Sequence, residues 1–90
     1  MDPILIKARD SIIGILEIDA QSCSYDTEQS IYLLIDLYRH LWTVLGGDVE
    51  LMRHWLRTGN SHLGYTPILR ISTPLYLSEM VDYLAQFRCH

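Results

Sequence analysis

Four histidines and two cysteines are the side chains of this sequence most suited to acid–base, nucleophilic or metal chemistry. Catalysis needs such groups to converge. His40 and His54 fall on separate predicted helices, and the nearest carboxylate is Asp36 beside His40, an ordinary pair along one helix surface. Cys89 and His90 are adjacent but Cys23 is far away, which is not the paired spacing of a zinc site. Gly46-Gly47 precedes a helix without the Lys and Ser/Thr of a phosphate-binding loop and without a preceding strand, so it reads as a helix stop. Arg53 and Arg57, at i and i+4, mark a small basic spot rather than the basic face of a DNA-recognition helix. The expectation is a protein without catalytic residues, metal or cofactor.

The elements around these residues belong to one small domain. Ninety residues with 49% hydrophobic and 20% charged side chains supply one core and leave no room for a second. So short a chain gains from association. Seven basic against eleven acidic residues give a charge of −4, unfavourable for binding a phosphate backbone. The acidity lies in residues 1–45, while residues 46–90 balance four Arg against four acids. Two distant cysteines are too few for a disulfide framework and read as free thiols. Charges interrupt the N-terminal apolar stretch, so neither a signal peptide nor a membrane span is expected, and the expected address is the cytoplasm.

Punctuation residues divide the chain into five helices, two of them short, in an all-α bundle. Asp2-Pro3 opens the first, with Leu5, Ala8, Ile12 and Leu16 at helical spacing up to about Asp19. Its many isoleucines and Gly14 leave a strand over Ser11 to Ile18 as the alternative. Ala20 to Tyr25 reads as a loop. Asp26 or Thr27 caps the second helix, whose stripe is Ile31, Leu34, Ile35, Tyr38, Leu41, Trp42 and Leu45. Its back is also apolar, with Leu33, Leu37 and Val44, as in a helix that is central or covered by another chain. Asp48 caps a third helix carrying Met52, Trp55 and Leu56, which Gly59 stops. Thr66-Pro67 opens one turn to Ile71, and Thr73-Pro74 opens the last helix to about Phe87. On that helix Leu77, Met80, Val81, Leu84 and Phe87 face one way.

The order and spacing of Leu45, Gly46, Gly47, Asp48, Glu50, Met52, Trp55, Leu56, Arg57, Thr58, Gly59, Asn60, Leu63, Gly64, Tyr65, Thr66, Pro67, Ile68 and Leu69 carry one more reading. This run resembles the toxin-binding domain of the Xre, MbcA and ParS group of bacterial antitoxins. The resemblance continues through Thr73, Val81 and Leu84 and extends loosely over Ile31 to Val44. Three positions depart from it: Gly59 stands where proline is common, Tyr65 where glycine or a polar residue is usual, and Pro74 where proline is rare. Within the motif, Trp55 and Leu56 pack the short helix, Gly59 and Gly64 permit tight turns, and Asn60 bonds the loop backbone. Leu63 and the Thr66-Pro67 restart complete the structural set.

The resemblance implies an inhibitor of a RES-domain toxin, an enzyme class that consumes NAD, acting by occlusion of the active site. Residues 27–90 correspond to the toxin-binding domain. The first 45 residues are too short and acidic for a helix-turn-helix domain, and residues 1–26 read instead as an additional helix and loop, covering the second helix or forming a dimer. Tyr76 and Tyr83, at i and i+7, share a face distinct from the core stripe, and with Phe87 they are the expected aromatic anchors. Arg88 and His90 at the end of the chain are the expected polar contacts. The alternatives are a transcriptional or plasmid-maintenance regulator acting as a dimer, and a phage-borne antitoxin mimic.

Overall fold

The computed structural model describes residues 2–19 and 25–87. Five helices follow one another: α1 (Pro3–Leu16), α2 (Glu28–Val44), α3 (Val49–Arg57), α4 (Pro67–Arg70) and α5 (Pro74–Ala85). No strand occurs among the described residues, and their one β-type pairing is an antiparallel bridge between Asn60 and Tyr65. None of the described helices is long and apolar enough to cross a membrane.

Helix α2 is the axis of the bundle, because α1, α3 and α5 all pack on it. Thr27 and Ser30 start it with a reciprocal cap, in which the Ser30 amide donates to Thr27 Oγ1 (3.2 Å) and the Thr27 amide to Ser30 Oγ (3.3 Å). The buried face runs through Ile31, Leu34, Leu37 and Leu41, all inaccessible to solvent. Leu37, assigned by periodicity to the back, is therefore core, whereas Trp42, assigned to the apolar stripe, stands 48% exposed. Three packed neighbours draw the interior toward Leu37 and turn Trp42 to the rim.

Helix α5 starts beside the start of α2, since Tyr25, Thr27 and Ser30 line one shallow cavity with Ser72 and Pro74. It contributes Leu77, Met80 and Leu84 to the core. Each fully buried leucine contributes roughly 1.5–3 kcal/mol of transfer free energy. The buried Tyr25 hydroxyl donates to the Ile71 carbonyl (3.0 Å), tying the entrance of α2 to the α4–α5 turn.

Helix α1 resolves the helix-or-strand alternative: the isoleucines between Ile4 and Ile15 are helical, and Ile12 and Leu16 are buried within the chain. The N-terminal helix thus covers α2 from inside the same molecule. It ends at Leu16, three residues before the expected Asp19, because Glu17 turns into the left-handed region (φ 57°). There the Ile18 amide reaches the Ile13 carbonyl (2.9 Å) and the Glu17 amide the Gly14 carbonyl (3.3 Å), which closes the helix and buries Ile18.

Other boundaries also shift. Helix α3 stops at Arg57 rather than at Gly59, because Thr58 is extended and its hydroxyl donates to the His54 carbonyl (2.7 Å). Thr66 and Thr73 occupy the expected cap positions, yet neither side chain makes a capping hydrogen bond; Pro67 and Pro74 start these helices through their fixed φ. Helix α5 ends at Ala85, which leaves Phe87 in a turn, 51% exposed instead of on the core stripe.

Candidate functional site: an aromatic face on helix α5

Between α3 and α4 the chain makes a compact loop held by the motif residues. Asn60 Oδ1 accepts the amides of His62 (2.9 Å) and Leu63 (3.1 Å), the Gly64 amide donates to the Asn60 carbonyl (2.8 Å), and the Asn60 amide to the Tyr65 carbonyl (3.2 Å). Gly64 sits at φ 85°, where a side chain is strained even though nothing lies within 4 Å of an added Cβ. Leu63 is half-buried against the core and Pro67 is buried, so the loop is anchored at both ends. Trp55 and Leu56 hold the preceding helix, Leu56 fully buried and Trp55 packed on the core edge.

This anchored loop sets two aromatic side chains against α5. The Tyr65 ring meets Tyr76 edge to face at 5.2 Å, and its hydroxyl donates to Glu79 Oε1 at 3.1 Å. Burial, first, and then the Glu79 carboxylate push the Tyr65 phenol up to about 12. Two turns beyond Tyr76, His62 stacks on Tyr83 at 5.8 Å, and Tyr83 meets Phe87 edge to face at 5.2 Å. At the other end the Arg70 guanidinium lies 5.0 Å from the centre of the Tyr76 ring. The result is a row running Arg70, Tyr76 with Tyr65, Tyr83 with His62, then Phe87. Exposed Leu69 (75%) and Leu75 (66%) adjoin its Arg70 and Tyr76 end in sequence.

Tyr76, Tyr83 and Phe87 are thus the expected anchors that lie on this face, the tyrosines half-buried and Phe87 more open. Arg88 and His90 lie outside the described residues. Tyr65, His62 and Arg70 are the members that sequence reasoning missed. Tyr65 and Glu79 are 14 residues apart, so no helical spacing links them; the sequence clue was the Asn60 and Gly64 turn chemistry, which fixes where the loop points.

Gly46 and Gly47 close α2, both at positive φ, and the second packs against Trp42, whose ring would stand 3.0 Å from an added Cβ. The basic spot expected from Arg53 and Arg57 is occupied internally: Arg53 Nε donates to the Ile15 carbonyl (2.8 Å), and Arg57 Nη2 to those of Leu16 (3.1 Å) and Glu17 (2.8 Å). These arginines satisfy the free carbonyls at the C-terminus of α1. His40 faces the Asp36 carbonyl (2.7 Å), and His54 pairs with the Thr58 hydroxyl (3.2 Å).

Among the described residues no three or more His, Cys, Asp or Glu side chains are grouped to hold a metal ion. What the aromatic face can do is bind: flat rings already fixed by neighbours offer contact area at small entropic cost. Comparison with protein families, with curated proteins and with solved structures gives no match for this chain.

Proposed function

We propose that the protein is an antitoxin-like inhibitor that captures a RES-domain, NAD-consuming enzyme with its α5 face and blocks access to the active site. The reading rests on the ordered motif from Leu45 to Leu69, and one observation carries it: the motif's loop holds Tyr65 and His62 against Tyr76 and Tyr83 of α5. Rings held in place by the loop offer contact area to a partner at small entropic cost. Tyr76, Tyr83 and Phe87 act as rigid anchors, and Arg88 and His90 supply polar contacts at the mouth of the enzyme's active site. Inhibition is by occlusion and needs no chemistry from this chain.

The experiment couples capture to activity. The tagged chain is used to isolate its partner, and NAD consumption by that partner is measured with and without added chain. The expected result is a RES-domain protein in near-stoichiometric amount whose NAD consumption falls on addition. Deletion of Phe87 to His90 is expected to abolish inhibition while far-UV circular dichroism remains unchanged. Full inhibition by the shortened chain overturns the tail's role, and capture of no RES-domain protein overturns the reading.

The DNA-binding regulator is the weaker alternative, because the charge is −4 and Arg53 and Arg57 are bonded to α1 carbonyls. A gel shift at low salt with the DNA upstream of the coding region separates the two.

A further inference from the structure

The outward face of α2 carries a second surface, on which the proposed inhibitory contact does not draw. Tyr32, Asp36, Arg39 and Thr43 recur at steps of four, three and four residues and form one stripe along the helix. Tyr32 is 53% exposed, Arg39 and Thr43 are exposed, and Asp36 is half-buried. Beside the stripe, Tyr38, Arg39, Trp42 and Thr43 line a shallow hollow of about 400 Å³. Its wall is built in advance: the Trp42 ring is set against Gly47 and stands 6.1 Å from Tyr38.

Among the described residues the charges of this stripe form no ion pair. The ion pairs among the described residues join Arg9 to Asp10 and Arg53 to Glu17 and Glu50. Asp36 and Arg39, only three residues apart, are not among them.

We infer that this face binds the same face of a second copy of the chain, the two α2 helices lying antiparallel about a two-fold axis between residues 37 and 38. Charge and shape on this face are self-complementary. Such an axis exchanges positions equally far on either side of it, so Asp36 of each copy lies over Arg39 of the other, giving two reciprocal ion pairs. The same operation sets Tyr32 over Thr43 and Leu33 beside Trp42, so the exposed tyrosine of each copy fills the hollow of the other. A parallel arrangement would set Asp36 against Asp36 and Arg39 against Arg39. The contact is isologous and closes at two copies.

Sedimentation equilibrium of the full chain tests this, with charge variants at the centre of the contact. Wild type is expected to show twice the chain mass, with a dimer that weakens as salt is raised. Arg39→Asp places acids opposite acids and Asp36→Arg places bases opposite bases, so each alone is expected to dimerise about tenfold more weakly or worse. An equimolar mixture of the two variants rebuilds both cross-pairs and is expected to recover the dimer. Trp42→Ala, at a half-exposed position, is expected to weaken the dimer with helicity retained. If either charge variant fails to fold, the double variant with both changes in one chain restores the same complementarity and gives the same reading. A wild-type protein that stays monomeric at millimolar concentration overturns the inference, as does a mixture no more dimeric than its components.

Discussion

Two regions on either side of α3 are built from opposite materials. On one side, α1 meets α2 and α3 through Ile12, Leu16 and Ile18, all buried, and Arg53 and Arg57 close the seam on main-chain carbonyls. On the other, the loop from Asn60 to Tyr65 meets α5 through rings that remain part-exposed, joined by ring contacts and one Tyr65–Glu79 hydrogen bond. In the first region charged side chains serve the backbone and apolar ones are hidden. In the second a turn fixes the backbone, and the apolar side chains are displayed. The contrast separates what holds the fold from what is available for binding: a seam tolerates no loss of volume, whereas a displayed row can lose a ring and keep its scaffold.

The largest expected effect is therefore on the seam. Leu16→Ala removes a fully buried side chain between α1 and the rest of the core and is expected to cost about 3 kcal/mol, from the range for large-to-small core changes. Urea unfolding followed by circular dichroism measures it. A loss as small as that expected for a surface position would mean that α1 is a loosely attached cover rather than part of the core.

Next comes the loop. Gly64→Ala puts a side chain at φ 85° and is expected to destabilise by about 1–2 kcal/mol through backbone strain alone, since nothing crowds the new Cβ. The effect should also reach binding, because Gly64 shapes the turn that presents Tyr65 and His62. Near-UV circular dichroism, which reports the packing of the rings, should change along with stability. An unchanged aromatic signal would disconnect the turn from the row.

The seam has its own residue at positive φ, and there the change runs the other way. Glu17 occupies the position after α1 where glycine is most at ease. Glu17→Gly relieves that strain and loses a contact with Arg53 at 3.6 Å from a largely exposed carboxylate. The net is expected to be a gain of roughly 0.5 kcal/mol, seen as a higher midpoint in the same urea titration. Destabilisation instead would show that the carboxylate at the seam outweighs the backbone strain.

The two regions were legible in the sequence to different degrees, for a physical reason. The five helices and the buried positions of α1 and α5 followed from local spacing and from proline and glycine punctuation, and all three proline starts lie where the sequence put them. The interior direction of α2 did not follow, because an apolar helix with several neighbours has no single stripe; its Leu37 and Trp42 exchanged roles. Arg57 bonding Leu16 and Glu17 spans about forty residues, a relation that no window along the chain contains. In the displayed region, Tyr76 and Tyr83 were visible as an i, i+7 pair, but the rings that complete the row come from the loop. Their placement depends on how far the Asn60 turn folds back, which is tertiary information.

The smallest effect sharpens the contrast through pH. Tyr65 is an acid whose folded pKa is raised from 10.0 to about 12, by burial first and then by the hydrogen bond it donates to Glu79. Raising the folded pKa of an acid means that the native state holds its proton where the unfolded chain releases it. Stability from this contact is therefore fully present below pH 10 and is lost progressively as pH rises toward 12. Tyr65→Phe keeps the ring against Tyr76 but has no proton to lose, so its melting temperature should fall less steeply than wild type over that interval. The difference reports the Tyr65 hydroxyl alone, its burial together with its hydrogen bond to Glu79. Parallel curves for the two proteins would place Tyr65 in the row by ring contact alone, with its bond to Glu79 contributing nothing to the fold.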